Sequence, residues 1–369
     1  MTNKWRLLRL GSLPPIDSQI IYHAIAQAMA ENSTIPNTLV ICWPAKPLVC
    51  CGYHQVIEEE IDLEYCHQNN IPVVQRILGG GAVYLDNGQL FYQFMTHAGT
   101  NGIPLQVAPY YEFLLEPVVQ TYRELGVDAK YAPVNDIITS AQQKISGNGA
   151  GAIGNVQILT GNIIFDFNFE EMVRILKVPN EKFRDKFQKT LEEHLGTLRR
   201  ELSSLPNREH VIDILCKKIK THLNIEFIDL PLTTQEKQLM DEFRVLYQSS
   251  EWLNRDEWDT IAQKRGTKVA GNIHIKQTLY KAPGGLIRLI AEIDYEQKLI
   301  RTISISGDFT ILPRDSPQKL EQKLRMTPMN KEKISSRIHA FYDEHSPDSP
   351  GVTPEDWIQA ITLLSAKKT

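Results

Sequence analysis

Long apolar runs are missing from this sequence. The amino-terminal residues MTNKWRLLRLGSLPP hold no uninterrupted apolar stretch of signal-peptide length, and nothing downstream approaches the roughly 20 residues of a membrane span. A cytoplasmic protein without a membrane partner is therefore expected. An excess of either charge is missing too, since 40 Lys and Arg stand against 44 Asp and Glu for a net charge of −4. No block of basic residues offers a footprint for a phosphate backbone, so nucleic acid is not an expected partner. Cysteine is sparse. Cys42, Cys50, Cys51, Cys66 and Cys216 are odd in number and lack metal-ligand spacing, as expected of reduced thiols and of a chain without a metal site of its own. Cys50 and Cys51 sit where a strand runs into a loop, so one should face a core and the other away. Internal repeats and low-complexity tracts are also lacking.

What is present is an ordinary globular composition, 42% hydrophobic and 23% charged, over 369 residues, a length that points to two domains. Residues 16 to 31, IDSQIIYHAIAQAMAE, have apolar positions at helical spacing and no interior Gly or Pro. Short β-rich runs, TLVICW and PLVCCGY, follow, then a helix in DLEYCHQNN and a strand in IPVVQRIL. In GGAVYLDNGQLFYQFMTH, Asn87-Gly88 signals a hairpin between two alternating strands. PYYEFLLEPVVQTYRELGV predicts a helix ending at Gly126, and strands recur in DIITSAQQKISGNGA and VQILTGNIIFDFNF. A helical, charged block spans about 170 to 250. Strand patterning resumes from about 271 to 312 with a hairpin at DYEQ, and Thr353 followed by Pro354 predicts a capped helix in TPEDWIQAITLL. The expected class is α+β: a large mixed-sheet domain with flanking helices over 1–250, a linker over 251–268, and a small α+β domain over 269–369.

Two stretches carry chemistry. In QRILGGGAVYLD, Gly79, Gly80 and Gly81 follow Arg76. Backbone amides in such a turn are close-packed donors with no side chain in front, able to hold an anion or let a ligand lie against the main chain. A bulge or tight hairpin uses the same residues, and Arg76 alone is equally a surface arginine beside a strand. No GK[ST] follows, so this is not a P-loop, and the GNGAGAIG run lacks the downstream acidic residue of a dinucleotide fold. The second stretch is NDIITSAQQKISGNGAGAIGN, in which Lys144 follows a polar turn and precedes a glycine-dense loop. It is placed either to neutralise a carboxylate and a phosphate or to end a solvated strand.

Taken in order, R-x-x-G-G-G-A-V-Y-x-D-x-G, then N-D and K-I-S-G, then a hairpin ending in GNIIFDFN, resemble the lipoate–protein ligase A family of the biotin and lipoate ligase fold. The resemblance covers about residues 5 to 200, and the segment from Gly271 to Leu312 is similar to the accessory domain of those ligases. It implies a two-step reaction: lipoate and ATP, with Mg2+, give lipoyl-adenylate and pyrophosphate, and the acyl group passes to a lysine of a carrier protein. The carrier so implied is an E2 lipoyl domain, the glycine-cleavage H protein or an H-like protein. Arg76 matches the nucleotide-contacting arginine. The resemblance gives Gly79, Gly80, Gly81, Ala82, Val83 and Tyr84 to the loop lining the adenylate. Lys144 matches the lysine that touches both the lipoyl carboxylate and the α-phosphate. Gly81 and His54, the latter in a polar turn GYHQ, fall on the lipoate side. Asp136 and Asp86 are candidate proton acceptors for the transfer step, or else cap turns.

This chain departs from the family at several positions. Gln75 replaces a second arginine, Leu78 a small polar residue, Leu85 a histidine and Gln89 an asparagine; Thr160-Gly161-Asn162 stands where a histidine precedes GT. Two rivals follow. Octanoyltransferases of the same fold use no ATP and pass the acyl group through a cysteine thioester, but YAPVND offers no cysteine at that loop and none occurs between Cys66 and Cys216. A non-catalytic module that binds lipoylated carriers is the other. The GRGRRG-type loop of biotin ligases is absent.

Overall fold

A computed structural model of the chain describes residues 3–100, 102–178, 181–253, 268–270 and 272–364. The expected linker, apart from 251–253 and 268, lies outside these residues. The chain runs β1 (Asn3–Leu13), α1 (Asp17–Glu31), β2 (Thr38–Pro44), β3 (Leu48–Cys51), α2 (Ile57–Glu60), α3 (Leu63–Gln68), β4 (Val73–Gln75), β5 (Val83–Leu85), β6 (Gln89–His97) and α4 (Val107–Glu124). Next come β7 (Ala129–Ala132), β8 (Asp136–Thr139), β9 (Lys144–Ile153), β10 (Val156–Ile164), α5 (Phe169–Ile175), α6 (Glu181–His194), α7 (Leu198–Glu201), α8 (Arg208–Leu223), β11 (Ile225–Ile228), α9 (Thr234–Leu246) and α10 (Ser250–Leu253). Its carboxy-terminal part holds β12 (Lys268–Ala270), β13 (Ile273–Ala282), β14 (Gly285–Asp294), β15 (Leu299–Gly307), α11 (Ser316–Leu324), β16 (Thr327–Pro328), α12 (Lys331–His345) and α13 (Pro354–Leu363). Two units emerge. The larger comprises Met1–Cys51, Glu60–Ile77 and Ala82–Gln248; the smaller takes Ser249–Thr369 together with two short segments, Gly52–Glu59 and Leu78–Gly81.

The larger unit is built on an eight-stranded mixed sheet among the described residues, ordered β11-β1-β2-β6-β10-β9-β8-β7. Its first three strands are parallel and the rest antiparallel. Helix α1 is buried nearly all round, and its small Ala24, Ala26 and Ala28 let it press close to β2, β6, β9 and β10. Strand β6 is buried at every position except His97, so it shows none of the alternation of a half-exposed strand. A second, three-stranded sheet is ordered β4-β3-β5.

That small sheet corrects two expectations. Asn87-Gly88 does reverse the chain, but β5 and β6 do not pair with each other. β5 pairs with β3, whereas β6 lies between β2 and β10 in the large sheet. The turn hands the chain from one sheet to the other, and Gly88 is needed because a Cβ there would lie 2.6 Å from Asp166 O. Cys50 and Cys51 are both fully buried, because β3 is the middle strand and both its faces are covered.

In the smaller unit, β12-β13-β14-β15-β16 form a five-stranded antiparallel sheet. The DYEQ reversal joins β14 to β15 as expected, and a further turn joins β13 to β14. Apolar residues of β14 and β15 pack with Leu320, Ile338, Phe341, Trp357 and Ile361 of the three helices. Thr353 caps α13 by accepting from Asp356 N, and Asp356 accepts from Thr353 N in return (2.7 Å).

Candidate active site

Lys144 is the first residue of β9. The polar turn before it is closed by Thr139 N donating to Gln143 O (2.9 Å), with Gln142 in the left-handed region at φ +62°. Gly196 N donates to Lys144 O (2.8 Å), so the main chain is held from the other side as well. The amine pairs with Asp136 of β8 at 2.7 Å, the two side chains being 40% and 32% exposed. A Cβ at Gly147 would stand 3.4 Å from Lys144 Cε and 3.7 Å from Nζ, so the side chain lies across a position kept bare. The result is one ammonium group at a fixed place, still open to solvent.

Polar side chains lock the strands around it. Asn135 and Asn148 clasp each other across β8 and β9: the Asn135 amide donates to Asn148 O (2.5 Å) and the Asn148 amide to Asn135 O (2.8 Å). Tyr92, Gly161 and Asn148 stand opposite one another on β6, β10 and β9. The Tyr92 hydroxyl donates across the glycine to Asn148 Oδ1 (2.6 Å) and lies 2.9 Å from Ser146 Oγ; a Cβ at Gly161 would collide with both Asn148 Oδ1 and the Tyr92 hydroxyl. Elsewhere in this region Gly147 N donates to Asn162 Oδ1 (2.9 Å), and Asn162 Nδ2 donates to Gln89 Oε1 (2.7 Å).

Arg76 follows β4 and points inward. Its backbone N donates to Cys51 O (2.9 Å) and its guanidinium to Cys50 O (3.0 Å), leaving it 9% exposed. Val83 and Tyr84 lie on β5, opposite Cys50 and Val49; Val83 is exposed at its end of the strand, Tyr84 is buried, and Ala82 is half-buried. Burial pushes the hydroxyls of Tyr22 and Tyr111 up, with the charge of Arg76 opposing it in both; Asp136 adds to the rise at Tyr111. The charges of Arg76 and Asp136 thus both act on the Tyr111 hydroxyl. The Tyr22 hydroxyl and the Gln93 Oε1 are buried atoms without a hydrogen-bond partner among the described residues.

Gly79, Gly80, Gly81 and His54 group with the smaller unit. A Cβ at Gly79 would lie 2.6 Å from Phe309 O and 2.9 Å from Thr310 Cα, and Gly80 N donates to Phe309 O (3.3 Å) with φ +92°. The group that demands glycine here is therefore main chain, the turn after β15. Asp308 stands beside Gly81, 3.6 Å from where a Cβ would be. His54 is 4% exposed; its ring stacks on Phe309 at 5.1 Å, and its carbonyl accepts from Gly307 N (2.9 Å). Asp86 accepts from Gly88 N (2.9 Å) and closes the reversal. Its carboxyl is raised, chiefly by burial.

Residues 21–220 of the 369 match the family model described as the lipoyl protein ligase A/B catalytic domain. The chain belongs to this family. Among lipoyl-protein ligase relatives, it is 27% identical over 286 residues to "Lipoate--protein ligase 1" of Staphylococcus aureus, covering 78% of this chain and 80% of that one. It is 24% identical over 271 residues to "Octanoyltransferase LipM" of Geobacillus kaustophilus, covering 67% and 97%. Relatives thus include enzymes of both activities. Among solved structures, a bipartite lipoate protein ligase described with its E2 lipoyl domain, from Thermoplasma acidophilum, superposes with a TM-score of 0.59 at 27% identity, covering 68% of this chain and 95% of that one. The mixed-sheet architecture of a lipoyl-protein ligase is shared with it.

Tyr22, Tyr111, Gln93 and the Asn135–Asn148 clasp have no signature in the sequence. Tyr22 and Tyr111 occupy apolar helix positions and read as core. Asn135 is the first residue of the N-D motif and Asn148 follows K-I-S-G, but their mutual contact follows from strand register alone.

Proposed function

We propose that this lipoyl-protein ligase family member is an ATP-dependent lipoate–protein ligase: it activates lipoate as lipoyl-AMP and transfers the lipoyl group to a lysine of a carrier protein. The observation that carries the choice over octanoyl transfer is the state of the thiols. All five cysteines are buried and unpaired, and burial holds every one above its ordinary value, Cys66 at about 11. A thioester route needs an accessible thiolate; burial opposes this at every sulfur, and at Cys50 and Cys216 it outweighs the neighbouring guanidinium of Arg76 or Arg9. What stands open instead is the Lys144 ammonium. In the proposed reaction it is placed between the lipoyl carboxylate and the α-phosphate, offsetting the repulsion of two anions brought into line. Arg76, Gly81, Ala82, Val83 and Tyr84 are the proposed wall for the nucleotide, and Mg2+ would travel on the triphosphate. Use of the Gly80 amide by a phosphate would require Phe309 O to release it. Residues 1–250 are the proposed catalytic part and 269–369 the accessory part. Proposed carriers are an E2 lipoyl domain or an H-type protein.

Incubation of the pure protein with ATP, magnesium, lipoate and candidate carriers, followed by intact mass of the carrier, tests this reading. A lipoyl increment that requires ATP is expected. An octanoyl increment delivered from acyl carrier protein without ATP would replace the reading with its rival.

A further inference from the structure

Two of the positions at which this chain departs from the family pattern touch each other. Gln89 begins β6 and Asn162 lies near the end of β10, 73 residues later, where they are diagonal neighbours across the ladder: Asn162 stands opposite Phe91 and Ile164 opposite Gln89. Their amides join a continuous line. Gly147 N donates to Asn162 Oδ1 (2.9 Å), Asn162 Nδ2 donates to Gln89 Oε1 (2.7 Å), and Gln89 Nε2 donates to Tyr84 O (3.1 Å). Gln89 is 1% exposed.

The ends of this line give it direction. A backbone N–H can only donate and a backbone carbonyl can only accept, so each side-chain amide between them must accept on the Gly147 side and donate on the Tyr84 side. Reversing either amide would set like groups against each other at two contacts. The line also begins where regular pairing stops. β9 and β10 pair as far as Asn148 and Gly161, so the Asn162 side chain supplies the partner that the next strand residue no longer gives to Gly147. Gly147 is the residue over which the Lys144 side chain lies.

We infer that Gln89 and Asn162 are paired positioning residues, whose linked amides fix the Lys144-bearing end of β9 against the Tyr84 carbonyl of β5. Resting on the proposed adenylation, this assigns them the task of holding the ammonium in register with the strand that follows the glycine turn. Neither needs to touch substrate. The two departures are then one change, an asparagine and a glutamine whose lengths together span the gap.

Exchange of the two lengths tests this. Gln89→Asn alone leaves the line one methylene short and Asn162→Gln alone makes it one too long, while the double exchange restores the total. Each single variant should lose about ten-fold or more in kcat for lipoate-dependent pyrophosphate exchange into ATP, with KM for lipoate changed less than about three-fold. The double variant should recover most of the loss. Losses that multiply in the double variant, or single variants with full activity, would overturn the pairing. Amide hydrogen exchange, resolved to single residues by mass spectrometry, reads the line without any reaction. Gly147 N–H should be protected in the wild type, exposed at least about ten-fold faster in either single variant, and protected again in the double. An unprotected Gly147 in the wild type defeats the inference even if the enzyme is active. Protection that follows this pattern in a protein without adenylating activity would keep the pairing and remove the functional reading.

Discussion

At the scale of single residues, the role proposed for Lys144 is one of charge rather than of support. The Lys144–Asp136 pair is 40% and 32% exposed, a setting in which an ion pair contributes about 0–1 kcal/mol to stability. Lys144→Met keeps the aliphatic stem and removes the ammonium. It is expected to lower lipoate-dependent pyrophosphate exchange by about 10²-fold or more while moving the thermal midpoint by only a few degrees. A variant with unchanged exchange would remove Lys144 from the mechanism. That Lys144 follows a polar turn and begins a strand was legible in the sequence. Why Gly79 is glycine was not, since its neighbour, the Phe309–Thr310 main chain, is some 230 residues away and no local pattern announces such an approach. The Gln89–Asn162 contact was hidden for the same reason: the two residues are 73 apart, and each taken singly is only a departure from the family pattern.

Among elements, those with a strong local period were read well, and those whose environment decides their face were not. Helices α1 and α13, the polar turn before β9 and the β14–β15 reversal follow from spacing, caps and turn residues. The β5–β6 reversal has the right turn residues but joins two sheets, and β3 is covered on both sides, which no alternation rule can reveal. Helix α9 shows how one element is tied down. Glu236 closes a capping box with Thr233, accepting from Thr233 N (2.7 Å), and both its oxygens accept from the buried Arg6 guanidinium of β1, one at 2.9 Å. Glu236→Ala would leave a cation buried without this partner, so a loss of about 3–5 kcal/mol is expected in urea unfolding, against about 1 kcal/mol for Thr233→Ala. Equal effects from the two would mean that the ion pair contributes little beyond the cap.

For the molecule as a whole, the α+β class and the large mixed sheet were legible because helical and strand periods alternate along most of the chain. The membership of Gly52–Glu59 and Leu78–Gly81 in the smaller unit was not, because it depends on long-range contacts. No helix among the described residues is long and apolar enough to cross a membrane. The cysteine pattern acquires meaning at this scale: five thiols, all buried, against one exposed ammonium in the motif that carries the resemblance. For Cys66, held at about 11 by burial, only about one molecule in a thousand carries the thiolate at pH 8, and reactivity should climb as pH rises toward that value. The most direct test is therefore lipoate-dependent exchange of labelled pyrophosphate into ATP, measured before and after treatment of the native protein with a thiol-alkylating reagent at pH 8. Exchange that requires lipoate and survives the treatment is the predicted result. Absence of exchange in the untreated protein, with acyl transfer that proceeds without ATP and is abolished by alkylation, would contradict the account.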